Sequence, residues 1–142
     1  MRLLAISTFL ALATILVGCG DRVAASGPVP FEVTDLQTGP EPSNTNAMKI
    51  TGSIHVRDGA FKRKAVLLRL AGTVSFKRSG VTKPVYARDD QILITNGAGA
   101  LELVFFVTPA EKHSIEPELA SPTYAFDSQG YTELKPASLE LR

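Results

Sequence analysis

Apolar and polar residues alternate most strictly over residues 48–57. Met48, Ile50, Gly52, Ile54 and Val56 fall on one side of an extended chain, and Lys49, Thr51, Ser53, His55 and Arg57 on the other. A period of two predicts a strand with one buried face and one wet face. Residues 66–77 repeat the pattern. Val66, Leu68, Leu70, Gly72, Val74 and Phe76 point one way, and Leu67, Arg69, Ala71, Thr73, Ser75 and Lys77 the other. A helix would need apolar spacings of three and four, which this segment lacks. Gly72 is the place to expect a bend or bulge. Asp58-Gly59 and Ser79-Gly80 read as turns.

The remaining segments are shorter. Residues 31–36 form a first strand whose alternation fails at Asp35 and Leu36, and residues 37–47, with two prolines, a glycine and two asparagines, read as a loop. An edge strand is expected at 85–88, with Pro84 at its start. A short buried strand is expected at 91–95, and Asn96-Gly97-Ala98-Gly99 is a hairpin loop. Residues 100–108 are apolar on both faces around Val104, Phe105 and Phe106, which predicts a central strand. Residues 109–122 are less regular, with room for one helical turn. The last strands are expected at 123–126 and 131–141, separated by the turn Asp127-Ser128-Gln129-Gly130, and Pro136 confines the final segment to an edge.

Seven or eight short strands with almost no helix predict an all-β fold. The expected form is an antiparallel β-sandwich of the immunoglobulin or fibronectin type, with a small barrel as the alternative. The tryptophan and cysteine pair of antibody domains are absent.

The N-terminal segment adds a location. Arg2 precedes an apolar stretch over residues 3–17 that is too short to span a bilayer comfortably but suits a signal-peptide core. It ends in Leu16-Val17-Gly18-Cys19, and Cys19 is the single cysteine of the chain. This tetrad resembles the lipobox of bacterial lipoprotein precursors. The resemblance covers only these residues. It implies a diacylglyceryl group on the Cys19 sulfur and cleavage before Cys19, with an acylated new amino terminus. Gly20, rather than aspartate, implies within that class the outer membrane of a Gram-negative cell, facing the periplasm. The expected organisation is therefore a signal peptide at 1–18, a lipidated cysteine and flexible tether at 19–30, and a β-sandwich domain at 31–142. More than one acyl chain gives firm anchoring, because a single chain holds only marginally.

With its cysteine lipidated, the domain forms no disulfide and relies on packing. Fifteen basic and fourteen acidic side chains leave the net charge near zero and name no partner. Their distribution is uneven. Residues 49–88 carry ten Lys or Arg against the single acid Asp58, and residues 89–142 carry nine acids against three bases. Such halves can pair plus to minus across a sheet. Within the basic half, Lys62-Arg63-Lys64 with Arg57, Arg69, Lys77 and Arg78 is a candidate anion-binding cluster. Its competing reading is a solvated face that protects strands from edge pairing.

Catalytic chemistry finds little footing. There is no Gly-x-Ser-x-Gly, and His55 and His113 lie 58 residues apart without metal-ligand spacing. Asp89-Asp90 with Asn96 offers oxygen ligands, but not at calcium-loop spacing, and reads as a turn before a strand. Glu116 and Glu118 resemble a carboxylate pair but flank Pro117 in a loop. No cofactor, metal, nucleic acid or small-molecule substrate is called for. The leading expectation is a non-enzymatic, lipid-anchored interaction or assembly module that docks an envelope protein, as in a secretion complex. The second is a binder of an envelope anion (a lipid headgroup, lipopolysaccharide or cell-wall polymer) through the basic cluster. An enzyme is the third.

Overall fold

The structure, a computed structural model, describes residues 29–135. The signal segment, Cys19, most of the tether and the end of the final predicted strand lie outside the described residues. Seven strands form one antiparallel sheet: β1 (Phe31–Pro40), β2 (Ala47–Val56), β3 (Ala65–Ser75), β4 (Thr82–Ala87), β5 (Ile92–Thr95), β6 (Ala98–Phe106) and β7 (Thr123–Leu134). One short helix, α1 (Pro109–Ile115), joins β6 to β7.

The sheet runs β1-β2-β6, then β4 and β5, then β3-β7. Strand β3 pairs with β7 along one edge and with β5 and then β4 along the other, so β4 and β5 lie end to end. The sheet folds over, and its inward residues meet as an all-β sandwich. The core holds Met48, Ile50, Ile54, Val66, Leu68, Val74, Phe76, Ile94, Leu101, Leu103 and Phe105, all almost fully buried. Both strict alternations are realised: the predicted inward faces of β2 and β3 are the buried ones. The pairings establish one antiparallel all-β sheet, consistent with the expected sandwich, and leave its immunoglobulin or fibronectin type as an expectation.

The strand expected at an edge over 85–88 instead runs from Thr82 to Ala87, with Pro84 inside it, between β3 and β6. Four further local expectations are corrected. First, β1 continues to Pro40, through residues assigned to a loop. A bulge between Thr34 and Gln37, with Asp35 at φ 55°, resets the register. The extra residue turns Leu36 back toward the core beside Phe31 and Val33, which is why alternation fails there. Gly52 makes this possible, because a Cβ at that position would lie 2.9 Å from the Thr34 carbonyl oxygen. Second, Asp127-Ser128-Gln129-Gly130 does not reverse the chain. β7 is one strand of twelve residues with a bulge opposite Arg69 and Leu70, and Gly130 at φ 128° absorbs the distortion. Third, Gly72 is not itself the bulge; it leaves room for the Phe126 ring and the Val85 side chain. Fourth, β6 is central, but its second face is not buried: Phe106 is 55% exposed.

The expected hairpin is present but tighter than the loop over 96–99: it turns at Asn96-Gly97, and Ala98 and Gly99 already belong to β6. Asn96 and Gly97 have positive φ, 54° and 80°, and Thr95 pairs with Ala98. The helical turn is α1. Thr108 and Glu111 form a capping box, with Pro109 in the first turn, a start signal legible in Thr108-x-x-Glu111.

The two outer strands of the sheet, β1 and β7, come together without backbone pairing. The Thr38 and Tyr124 hydroxyls are hydrogen-bonded, and the Val29 N–H donates to the buried Ser128 Oγ at 3.3 Å. Between them lies an open groove of about 490 Å³, lined by Phe31, Val33, Leu36, Tyr124 and Phe126 among others.

Candidate functional site

The strand directions give the domain two ends. At one end the chain enters, because the Arg57 N–H donates to the Pro30 carbonyl at 3.1 Å. The β2–β3 connection, the β5–β6 turn and the end of β7 share this end. Asn96 N–H donates to the Lys64 carbonyl at 2.9 Å, and Val56 N–H to that of Gly97 at 2.8 Å. The opposite end holds the β1–β2 and β3–β4 connections and α1.

The β2–β3 connection is built by Asp58. Its carboxylate accepts from the Ala60 N–H at 2.9 Å and caps a short 3-10 turn, Gly59–Phe61. Phe61 anchors that turn by burying its ring edge-on against Tyr131, with centroids 4.6 Å apart. With Phe61 pointing in, Lys62 and Arg63 are left pointing out. Both are exposed and, among the described residues, neither forms an ion pair. Arg63 stands at φ 72°, the left-handed region. Their neighbours are paired: Arg57 with Glu32 at 2.8 Å and Lys64 with Glu133 at 3.0 Å. The hydrogen bond from Lys64 to Glu133, with the charge of that carboxylate, raises the Lys64 pKa above its ordinary value. Exposed Lys135 and Leu134 complete this end.

The seven-residue basic cluster is therefore not one site. Arg57, Lys62, Arg63 and Lys64 gather at the entry end. Arg69 is exposed in the middle of β3, and Lys77 and Arg78 lie past its far end. Strand β3 has eleven residues, which separates the two groups by roughly 35 Å.

The far end uses its acids internally, while the side chains of Lys77 and Arg78 are exposed and, among the described residues, form no ion pair. Glu118 accepts from the backbone N–H groups of Arg78 and Ser79, both at 2.6 Å, and so ties α1's exit to the β3–β4 turn. Glu111 closes the capping box and pairs with Lys83. Those contacts, Lys83 first and the Thr108 N–H second, hold its pKa below the ordinary carboxylate value. Glu41, 8% exposed, accepts from the Ser43 hydroxyl at 2.6 Å and from the Ser43 N–H at 3.2 Å, and its pKa is lowered too. The role of Glu118 as a clamp has no signature in the sequence, since its partners lie 40 and 39 positions away.

The other candidates separate as well. His55 is near the entry end of β2, and His113 is on α1 at the opposite end. Asp89-Asp90 forms the β4–β5 turn, with Asp90 at φ 58°, while Asn96 is in the next hairpin. Among the described residues, no group of three or more His, Cys, Asp or Glu is placed to hold a metal ion.

One surface was not anticipated. On the outer face, Tyr86 of β4 and Phe106 of β6 are 48% and 55% exposed, with ring centroids 6.5 Å apart. Ion pairs frame them: Lys83 with Glu111 on one side, and Lys49 with Glu102 and Arg88 with Glu102 on the other. The apolar run Val104-Phe105-Phe106 carries the signal, but a segment apolar on both faces reads equally as a central strand. Compared with protein-family models, with curated proteins and with solved structures, the chain has no match.

Proposed function

We propose that this chain is a bacterial envelope protein held on a membrane by lipid on Cys19. Its β-domain acts as a non-enzymatic docking module for a protein partner. The observation that carries the docking part is the exposed Tyr86–Phe106 pair. Exposed aromatic clusters rimmed by charge are enriched in protein interfaces, and large exposed aromatics are otherwise avoided. The pair lies toward the far end of the sheet, since Phe106 is opposite Ala47, nine residues along β2 from Val56. That is roughly 30 Å from the chain entry. An anchor entering at Pro30 thus places the aromatic pair at the part of the domain distant from the membrane. The lipobox resemblance supplies the anchor and the outer-membrane location.

A photo-crosslinking residue at position 106 of the lipidated chain, in its native envelope, tests the reading. We expect one discrete adduct, lost in Tyr86→Ser and sharply reduced when Cys19→Ser releases the domain. An absence of adducts, or a smear unaffected by Tyr86→Ser, overturns it.

A further inference from the structure

The entry end carries three exposed cations, Lys62, Arg63 and Lys135, that form no ion pair among the described residues, placed where a lipid anchor would bring them closest to a bilayer. We propose that this end is a second membrane contact, which lays Lys62, Arg63 and Lys135 on anionic lipid headgroups; the proposal rests on the anchored reading above.

Three observations converge. The first is charge. Arg57, Lys62, Arg63, Lys64 and Lys135 share this end with the acids Glu32, Asp58 and Glu133. Each acid is committed: Glu32 to Arg57, Glu133 to Lys64, and Asp58 to the Ala60 N–H. Asp58 keeps its charge, so five cations against three acids leave this end a formal excess of two positive charges. The second is position. Pro30 is hydrogen-bonded to Arg57, so the chain leaves the domain beside the basic turn. Ten residues lie between Cys19 and Pro30, a span of eleven residue steps that even fully extended reaches at most about 40 Å. A tether this short keeps the turn at high effective concentration over the surface, so a weak contact suffices. The third is apolar content. Leu134, 38% exposed, and Leu93, 53% exposed, lie on the outer face near this end, opposite Ala65 and Leu67 of β3. A depression of about 300 Å³ runs between Arg63, Asn96 and Leu134. Free bases beside exposed leucines suit an interface of headgroups over acyl chains.

The physics sets the salt dependence. Each Lys or Arg near an anionic surface strengthens attachment about fivefold, and the attraction decays over about 8 Å at physiological ionic strength. A surface of neutral lipid offers none of this. The contact therefore orients a domain that the lipid already holds.

The test uses the full lipidated chain reconstituted in vesicles of phosphatidylcholine alone, or with about three-tenths phosphatidylglycerol. An environment-sensitive fluorophore is placed at Ala60→Cys, on the exposed basic turn, and in a separate sample at Asn44→Cys, at the opposite end. The expected result is a blue shift at position 60 on anionic vesicles only, with none at position 44. The shift is lost in about 0.5 M NaCl and in the K62E/R63E chain. Equal emission on both vesicles, or an equal shift at position 44, overturns the proposal. So does reversal by inorganic phosphate beyond what sodium chloride of equal ionic strength achieves, which would make the basic turn a site for free phosphate. The anchor fails separately: a chain that leaves the vesicles in high salt is not lipid-held, whatever the fluorophore reports on anionic vesicles at low salt.

Discussion

The two ends of the domain hold similar charged residues and use them differently. At the far end Glu118 clamps a turn, Glu111 caps α1 and binds Lys83, and Glu41 is folded onto Ser43. Acidic charge there is part of the architecture, while Lys77 and Arg78 stay exposed and without an ion pair among the described residues. At the entry end Asp58 caps one turn and two ion pairs form in the open, but Lys62 and Arg63 have no partner among the described residues. A cluster counted along the sequence does not reveal this difference. What separates a structural charge from an available one is the number of backbone and side-chain partners that the fold brings to it.

The apolar core should not follow this division. Phe61 anchors the entry end against Tyr131, and Phe76 anchors the far end with Phe105 at a centroid distance of 6.0 Å. Both phenylalanines are buried. Phe61→Ala and Phe76→Ala should each destabilise the domain by about 3–5 kcal/mol in urea unfolding. A large inequality would mean that one end is a loosely packed appendage, and the comparison of charges would then be one of packing.

The next effect separates the ends. Glu118→Ala removes the acceptor for two backbone N–H groups and should cost about 1–2 kcal/mol. The double change Lys62→Ala with Arg63→Ala removes more charge, yet should stay within about 0.5 kcal/mol, because nothing in the domain depends on it. If the double change proved the costlier, the basic turn would be structural, and its availability for a membrane would lose its basis.

The alternation over residues 48–57 and 66–77 was enough to fix which faces of β2 and β3 are buried, because period two leaves a strand no other choice. The hairpin was legible from Asn96-Gly97 for a similar reason: few residues accept positive φ twice in succession. Bulges were not legible. Leu36 broke the alternation of β1, and the turn residues around Gly130 broke that of β7. Only the partner strand shows that an extra residue, rather than a loop, resolves each break. The basic cluster was half legible. Sequence proximity grouped Arg57 with Lys62–Lys64 correctly, but Lys77 and Arg78 lie beyond a strand long enough to carry them to the other end. The aromatic pair was hidden because Tyr86 and Phe106 are 20 positions apart and meet only where β4 leaves β3 to pair with β6. Cys19, on which the location depends, lies outside the described residues.

The smallest effect divides the ends by pH. At the far end, Glu41 and Glu111 have pKa values lowered by the hydrogen bonds they accept. A carboxylate of this kind contributes stability above its unfolded pKa and loses it as pH falls through the lower, folded value. At the entry end Lys64 has a raised pKa, from Glu133. Its contribution is complete below the unfolded lysine pKa and disappears as pH rises through the folded one. Acid should therefore loosen the far end first, and alkali the entry end. Amide hydrogen exchange resolves the two: on acidification, once rates are corrected for intrinsic pH dependence, α1 should lose protection before the β2–β3 connection. Lys64 and Glu111 are partly exposed and solvent-screened, so the differences they make will be small. Glu111→Gln should flatten the acid response at α1 and leave the alkaline response unchanged, while Lys64→Met should do the reverse. If either substitution flattened both limbs, the two ends would be one electrostatic unit, and the free charge of the basic turn would have to be explained by the whole domain.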